Sequence, residues 1–349
     1  MKKSSAPKTI LVVRNDKLGD FMLAWPSFAA IKSACPDSRV IALVPSYTRD
    51  MAELCPWIDE VLIDPGSDSG ISGFWQLLKA IRAYRFDLMI TLFSTTRIAL
   101  TGLLAGIPSR WAPATKAAQF FYNYRLKQKR SKSEKPEYQY NVDLALASLS
   151  NYPLSQTTSL ITAPYLNLDQ ALLQETRKNF YDQQQIATDK RLVFIHSGHG
   201  GSANNLSIEQ YARLSGLINR DDLCFVLTAG PGELQATQEL EALLKAASID
   251  CRIYHSEQGL KAFTQHLALA DLFIAGSTGT LHIAGALDRP TVGFYPNRRS
   301  ATPLRWRTLN SEGRYLAVTP PDEVEQDMSQ VDLTAAAARI QQFMQQLWS

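Results

Sequence analysis

The chain has 349 residues, of which 45% are hydrophobic and 20% are charged, and its formal net charge is +3. This length exceeds that of one ordinary domain, so two α/β domains are the default expectation. The mild positive charge gives no argument for a nucleic-acid partner. No apolar run approaches the roughly 18 to 20 residues that span a bilayer.

The cysteines and the N-terminus together predict a cytoplasmic protein. The four cysteines are scattered without a CxxC pair, as expected of reduced and mostly buried thiols. The opening residues MKKSSAPK resemble the start of a signal peptide, but the apolar run behind them ends after Val13. That run is too short for the apolar core of a signal peptide and fits a first β-strand.

The first half of the chain alternates strand and helix patterns. The predicted strands are residues 9–13, 39–44, 60–63 and 86–92, and the predicted helices are 21–33, 47–54, 71–84 and 140–149. Strands that alternate with helices indicate a parallel sheet covered by helices on both faces. Between residues 111 and 136 the alternation breaks, and aromatic and basic residues crowd together.

The alternation starts again after a segment that lacks periodicity, around residues 151–167, where we place a domain boundary. The predicted strands are then 192–196, 223–228, 272–275 and 291–295, and the predicted helices are 207–218, 233–246, 260–269 and 333–348. Residues 1–160 and 161–349 would form two doubly wound, Rossmann-like α/β domains that face each other across a cleft. Ligands of such sheets bind outside the carboxyl ends of the strands.

In the first domain, the strand 10–13 ends in the segment Arg14-Asn15-Asp16-Lys17-Leu18-Gly19-Asp20. Asp20 stands where a helix begins, and its carboxylate could deprotonate an attacking hydroxyl group. It could equally cap the helix through backbone N–H groups. Asp16 is a rival base, and Arg14 could contact an anion.

In the second domain, the segment DLFIAGSTGTLHIAGALDRPTVGFYP, residues 271–296, contains a strand, a turn of small residues and a helix. Such a helix start presents unpaired N–H groups and a positive dipole end, which together bind phosphate. The residues expected to contact the phosphates of a nucleotide are Ser277, Thr278, Gly279 and Thr280. His282 could donate to a phosphate or pack between the turn and the helix.

Two further junctions between a strand and a helix could contact the same ligand. The loop after residue 196 contains Ser197, Gly198, Gly200, Gly201, Ser202 and Asn204. It matches neither GxGxxG nor GxxxxGK[ST], so it predicts neither a dinucleotide fold nor a P-loop. At the third junction, Glu233 could accept hydrogen bonds from a ribose or complement the dipole of its helix.

The basic and aromatic run of residues 120–132, which includes Arg125 and Lys127, has three interpretations. It could be a solvated loop, a patch for an anionic acceptor or a membrane surface, or a platform for single-stranded nucleic acid. The last is the weakest because the rest of the chain offers no basic face. No His, Asp and Glu residues have the spacing of a metal site, so no bound metal is expected.

Taken together, these segments resemble glycosyltransferase family 9, the lipopolysaccharide heptosyltransferases, which have the GT-B fold. The similarity follows the chain in order through Leu18-Gly19-Asp20, residues 198–211, residues 230–233 and residues 277–296. It implies an inverting transfer without a metal or cofactor, with Asp20 as the catalytic base.

The resemblance also assigns a substrate to each domain. The second domain would hold the diphosphate of a nucleotide-sugar through Thr278, Gly279, Thr280 and His282, and Glu233 would lie near the nucleoside. The first domain would bind a lipid-linked anionic glycan through basic residues, for which Arg14, Lys17, Arg97, Arg125 and Lys127 are the candidates. The enzyme would be cytoplasmic and could lie at the inner face of the cytoplasmic membrane.

Two segments depart from the family pattern. Ser277 stands where heptosyltransferases commonly carry Asp, and Asn204 and Asn205 stand where they often carry Lys or Arg. ADP-heptose and another activated sugar therefore both remain open as donors. Two other functions also remain open: a nucleotide-sugar epimerase of the same fold, and a homologue that binds nucleotide-sugars without catalysis.

Overall fold

The structure is a computed structural model that describes residues 6–115, 117–152, 161–198, 204–324 and 326–349. It divides into two compact units, the first ending at Ile161 and the second running from Thr162 to Ser349. Each unit contains one six-stranded sheet, and every strand pair is parallel. The predicted α/β class with two doubly wound parallel sheets is confirmed.

The sheet of the first unit has the strand order β3-β2-β1-β4-β5-β6. Its strands are β1 (Thr9–Val13), β2 (Arg39–Pro45), β3 (Glu60–Asp64), β4 (Leu88–Thr91), β5 (Ser109–Pro113) and β6 (Tyr124–Leu126). Its α-helices are α1 (Leu18–Met22), α2 (Trp25–Ala34), α3 (Arg49–Leu54), α4 (Gly70–Tyr84), α5 (Thr96–Leu104) and α6 (Glu137–Leu149). Apolar side chains of β1, β2 and β4 pack against α4 and α5 in the core.

The sheet of the second unit has the order β12-β11-β10-β7-β8-β9. Its strands are β7 (Arg191–His196), β8 (Leu223–Ala229), β9 (Cys251–His255), β10 (Leu272–Gly276), β11 (Thr291–Phe294) and β12 (Tyr315–Val318). Its α-helices are α7 (Gln170–Gln184), α8 (Ile208–Ile218), α9 (Leu234–Ala246), α10 (Gly259–Leu267), α11 (Gly279–Ala286) and α12 (Leu333–Trp348). A large apolar core joins α8, α9 and α12 to the sheet.

Some predicted elements differ from the observed ones for identifiable reasons. The helix predicted for residues 21–33 is two helices, because Pro26 lies in the first turn of α2, where its missing N–H costs nothing. Strands β5 and β6 occupy the segment in which the alternation was expected to break. β6 is a short edge strand with two exposed residues, so no alternating apolar pattern marks it.

Candidate active site

The first strand of each sheet lies at a topological switch point. β1 pairs with β2 on one side and β4 on the other, and β7 pairs with β8 and β10 in the same way. In open parallel sheets, ligands bind outside the carboxyl ends of the strands at such points. The segments that follow β1, β4, β7 and β10 are therefore where each unit can bind a substrate.

A buried arginine organises the segment that follows β1. Arg14 is 3% exposed, and its Nε atom lies 2.8 Å from Oδ1 of Asp16. Its Nη2 atom donates a hydrogen bond to Oδ1 of Asp20, and its Nη1 atom donates to Oε1 of Glu137 at 3.2 Å. One guanidinium thus contacts three carboxylates, which come from the β1–α1 loop, from α1 and from the start of α6.

Burial changes the acidity of both aspartates in this cluster. Loss of solvation raises the pKa of Asp16 to about 7, although the charge of Arg14 opposes the change. Burial also raises the pKa of Asp20, with Arg14 opposing the shift and the charge of Glu137 adding to it. The side chains of Asp16 and Asp20 keep 12% and 16% of their exposure, so a substrate can reach both. A carboxylate with a raised pKa is a stronger base near neutral pH.

Two of the five expected acceptor residues hold carboxylates of the first unit. Arg14 is occupied by the three carboxylates, and Nη2 of Arg97 donates to both carboxylate oxygens of Asp64, at 2.6 and 2.5 Å. Asp64 is buried at the end of β3 and also accepts a hydrogen bond from Asn15. An Nη2 atom that donates to both oxygens of a buried carboxylate cannot present the same hydrogens to a ligand. Arg14 and Arg97 therefore support the carboxyl ends of β1 and β3.

The other three expected acceptor residues, Lys17, Arg125 and Lys127, are exposed. Lys17 precedes α1, and Lys127 directly follows β6, so both lie at the carboxyl edge of the sheet. Arg125 lies within β6, opposite Ala112 of β5. The basic run of residues 120–132 is thus partly an edge strand.

In the second unit, the turn between β10 and α11 presents a helix start to solvent. The Ser277 N–H donates to the Phe294 carbonyl at 3.0 Å, and the Thr278 N–H donates to the Gly276 carbonyl at 2.7 Å. Oγ1 of Thr278 pairs with Oγ1 of Thr280 at 2.9 Å and does not cap the helix. The N–H groups of the first turn of α11 are therefore not capped by Thr278, and an anion can bind them.

His282 lies in α11 and is only 2% exposed. Burial lowers its pKa to about 4, so the imidazole is neutral at physiological pH. Its Nδ1 atom has no hydrogen-bond partner among the described residues. Packing between the turn and the helix fits this burial, and a contact with a phosphate would use the N–H of a neutral imidazole.

The loops that follow β7 and β8 meet at Glu233. Oε2 of Glu233 accepts a hydrogen bond from the Gly230 N–H at 2.9 Å and lies 3.7 Å from Nε2 of His196. Gly198 packs so closely on this carboxylate that a Cβ atom there would collide with it. A larger residue at position 198 would therefore require the Glu233 carboxylate to move. The predicted donor residues Gly200, Gly201 and Ser202 lie outside the described residues.

An asparagine links the ends of β7 and β10. Nδ2 of Asn205 donates to the Ser197 carbonyl at 2.9 Å, and its Oδ1 atom accepts from the buried Tyr211 hydroxyl at 2.6 Å. A Cβ atom at Gly276 would lie 2.6 Å from that Oδ1 atom. Asn204 instead donates to the Gln326 carbonyl at 3.1 Å. Asn205 therefore fixes the spacing of the two loops that would face a phosphate.

Sequence reasoning missed Glu137, Asn205 and Tyr211 as members of these sites. Glu137 follows Pro136 at a helix start, where an acidic residue has an ordinary explanation in the helix dipole. Its distance of more than 100 residues from Arg14 leaves no local signal. Tyr211 has the spacing of a core residue of α8, and only its hydroxyl contact shows a second role.

Two searches of the described residues bear on the class of protein. No helix in the described ranges is long and apolar enough to cross a membrane. Within the same ranges, no three His, Cys, Asp or Glu side chains come together in a group that could hold a metal ion.

Comparison with known proteins finds one matching family. The sequence model of glycosyltransferase family 9 (heptosyltransferase) matches residues 74–331. The chain is 43% identical over 344 residues to a Haemophilus influenzae protein named provisionally as a glycosyltransferase, and the match covers 97% of each chain. It is 22% identical over 302 residues to lipopolysaccharide heptosyltransferase 2 of Escherichia coli, with 84% of each chain covered.

A solved structure extends the likeness to the fold of the whole chain. The ADP-heptose lipopolysaccharide heptosyltransferase II of Escherichia coli superimposes with a TM-score of 0.76 at 18% sequence identity. The superposition covers 98% of this chain and 100% of the other.

Proposed function

Since this chain belongs to glycosyltransferase family 9, we propose that it transfers a heptose or a related sugar from a nucleoside diphosphate donor to a lipopolysaccharide core or similar anionic glycan. ADP-heptose is the first choice of donor, because the matching Escherichia coli structure carries that substrate in its name. The observation that carries the proposal is Asp20, a buried carboxylate held by Arg14 at the switch point of the first sheet.

Asp20 acts as the general base in this proposal. It takes the proton of an acceptor hydroxyl while the oxygen attacks the anomeric carbon of the donor. The new carbon–oxygen bond forms on the face opposite the nucleoside diphosphate, whose bond to the anomeric carbon breaks, so the configuration inverts. The raised pKa of Asp20 makes the carboxylate more basic than an exposed one, and Arg14 keeps it oriented.

The second unit binds the donor. The first turn of α11, with Ser277, Thr278, Gly279 and Thr280, faces the diphosphate and stabilises the charge that grows as it leaves. The loop after β7 contributes Ser197, Gly198, Gly200, Gly201, Ser202 and Asn204 to the donor site. Glu233 accepts hydrogen bonds from the nucleoside, and buried His282 supports α11.

The first unit binds the acceptor through exposed basic side chains. Lys17 and Lys127 lie at the carboxyl edge of the sheet, and Arg125 lies two residues before Lys127 on the outermost strand. Such charges attract the phosphates and carboxylates of an anionic glycan. Their charge reversal should raise the KM for the acceptor and leave the KM for the donor unchanged in steady-state assays.

A lipid-linked acceptor implies contact with the membrane surface. Ile71 and Trp75, one turn apart at the start of α4, are 78% and 57% exposed, and Phe120 is 76% exposed. Exposed apolar side chains beside basic ones are typical of peripheral membrane contacts. Co-sedimentation with anionic vesicles should fall for Trp75→Ser and stay unchanged for Leu243→Ser, an exposed leucine of α9.

The direct test is transfer of sugar by the purified full-length protein. With ADP-heptose and a heptose-deficient core acceptor, the product should gain the mass of one heptose in the presence of EDTA. Thermal unfolding with ADP, UDP, GDP, dTDP and CMP identifies the nucleobase of the donor. A rise in unfolding temperature with ADP supports ADP-heptose as the donor despite Ser277. A shift with another nucleotide redirects the donor, and no shift with any nucleotide contradicts the proposed site.

A further inference from the structure

Glu137 is the least exposed carboxylate of the cluster around Arg14, at 2%. Its Oε1 atom accepts hydrogen bonds from two arginines: Nη1 of Arg14 at 3.2 Å and Nη1 of Arg130 at 2.7 Å. The Arg130 side chain also lies over the ring of Tyr140, 5.8 Å from its centre. Glu137 is therefore fixed between two guanidiniums, deep in the first unit.

Helix α6 carries a second contact to the same arginine. Oδ1 of Asn141, one turn after Glu137, accepts from Nη1 of Arg14 at 3.4 Å, and Nδ2 of Asn141 donates to the Leu23 carbonyl at 3.2 Å. Leu23 directly follows α1, the helix that carries Asp20. Helix α6 thus holds both the arginine and the end of the helix that presents the proposed base.

Without the exposed Lys17, the charges of this cluster do not balance. Two guanidiniums, Arg14 and Arg130, face three carboxylates: Asp16, Asp20 and Glu137. Glu137 contacts both guanidiniums, so its charge is the best compensated of the three. The excess negative charge consequently opposes ionisation of Asp16 and Asp20, the two carboxyls that a substrate can reach.

We propose that Glu137 is a positioning residue that acts through Arg14 to orient Asp20 and to keep it a strong base. The inference rests on the proposed function, in which Asp20 takes the proton of the acceptor. Glu137 accepts a hydrogen bond from Nη1 of Arg14, so the positive charge of this arginine neutralises Asp20 only in part. Without its charge, Arg14 would favour the ionised form of Asp20 more strongly, and the carboxylate would be a weaker base.

The groups that face Asp20 come from several elements. Arg14, Asp16 and Lys17 lie in the segment after β1, and Glu137 lies on α6. Tyr47, after β2, donates through its hydroxyl to the Asp16 carbonyl, and burial together with Asp16 and Asp20 raises its pKa. Tyr47 is neutral at the pH of the assay, and Lys17 is exposed, so solvent screens its charge.

The test compares pH profiles of kcat/KM for transfer by the full-length protein. Glu137→Gln keeps an oxygen that can accept from Arg14 but removes the charge, so the acid limb should move to lower pH by about one unit. Arg130→Gln removes a positive charge beside Glu137, so the limb should move to higher pH. Asp143→Asn is the matched control, because Asp143 lies on α6 like Glu137, pairs with Lys135 and does not contact Arg14. Its profile should match that of the wild type.

Opposite shifts for Glu137→Gln and Arg130→Gln, with an unchanged KM for the donor, support the inference. The inference is overturned if the acid limb of the kcat/KM profile stays in place in both variants. It is also overturned if Asp143→Asn shifts that limb by the same amount. If the wild type transfers no sugar, the proposed function itself fails. The effect of Glu137 is then read from the ¹³C carboxyl titration of Asp20, assigned by comparison with Asp20→Asn. In that experiment, an unchanged titration midpoint in Glu137→Gln overturns the inference.

Discussion

At the scale of single residues, burial decides the properties of the aspartates at the end of β1. Asp16 and Asp20 are close to one arginine, yet the pKa of each is raised because desolvation outweighs that attraction. A structural ion pair would show the opposite shift. This costly arrangement is typical of functional sites, where a reactive group is kept at the expense of stability.

The free energy of unfolding of Asp16→Asn should show how much stability the buried carboxylate costs. The folded-state pKa of Asp16, about 7, exceeds the ordinary value of 3.8. The carboxyl therefore favours folding at a pH below that ordinary value and loses this contribution as the pH rises through about 7. Urea unfolding should give a higher free energy of unfolding for Asp16→Asn than for the wild type at about pH 8. No such gain is expected at about pH 4. A variant less stable than the wild type at the higher pH would contradict the pKa of Asp16.

At the scale of elements, the sequence predicts best where burial is periodic. The helix predicted for residues 333–348 matches α12, and the capping box of Ser207 and Gln210 at the start of α8 is present. Helix α7 went unpredicted because most of its side chains are polar and exposed, so it has little apolar periodicity.

The residues of the candidate site also divide into those that a local sequence pattern marks and those that only the structure brings together. The segments that end in Asp20 and in Thr280 could be proposed from the sequence, because turns of small or acidic residues after an apolar strand leave a local pattern. Glu137 was missed, and Asn205 was noted only as a departure from the family pattern, because their contacts are made in three dimensions and leave no local pattern. Asp20 and Glu137 are 117 positions apart and still contact the same guanidinium.

The link between α8 and the donor loops can be tested at Tyr211. Tyr211→Phe removes the hydroxyl that donates to Asn205, so it should lower the free energy of unfolding by about 1 kcal/mol. Because Asn205 also holds the Ser197 carbonyl, the KM for the donor should rise more than kcat falls. Tyr254→Phe is the control, since its hydroxyl pairs with His266 of α10 at 2.9 Å. An equal rise in KM in both variants would show that the effect is general destabilisation.

At the scale of the whole molecule, the two units have separate sheets and separate cores. Each sheet has its switch point beside its first strand, and each carries a different kind of chemistry there. The first holds buried carboxylates, which suit proton transfer, and the second holds a helix start, which suits phosphate. This division of chemistry supports one substrate on each unit.

Hydrogen exchange with and without ADP should show which unit binds the nucleotide. Slower amide exchange is expected at residues 276–283, because the N–H groups at the start of α11 would bind the phosphates. Residues 9–20 should exchange at the same rate in both samples. Protection confined to the first unit would reverse the assignment of donor and acceptor.

The most direct test of the central claim is sugar transfer by Asp20→Asn, with ADP binding measured on the same preparation. We expect the rate of transfer to fall by about 10²-fold or more, which is the usual contribution of a general base. ADP binding should stay at the wild-type level. Asp16→Asn, beside the same arginine, should keep most of its transfer activity. Normal turnover by Asp20→Asn would contradict the account, and a loss confined to Asp16→Asn would move the base to Asp16.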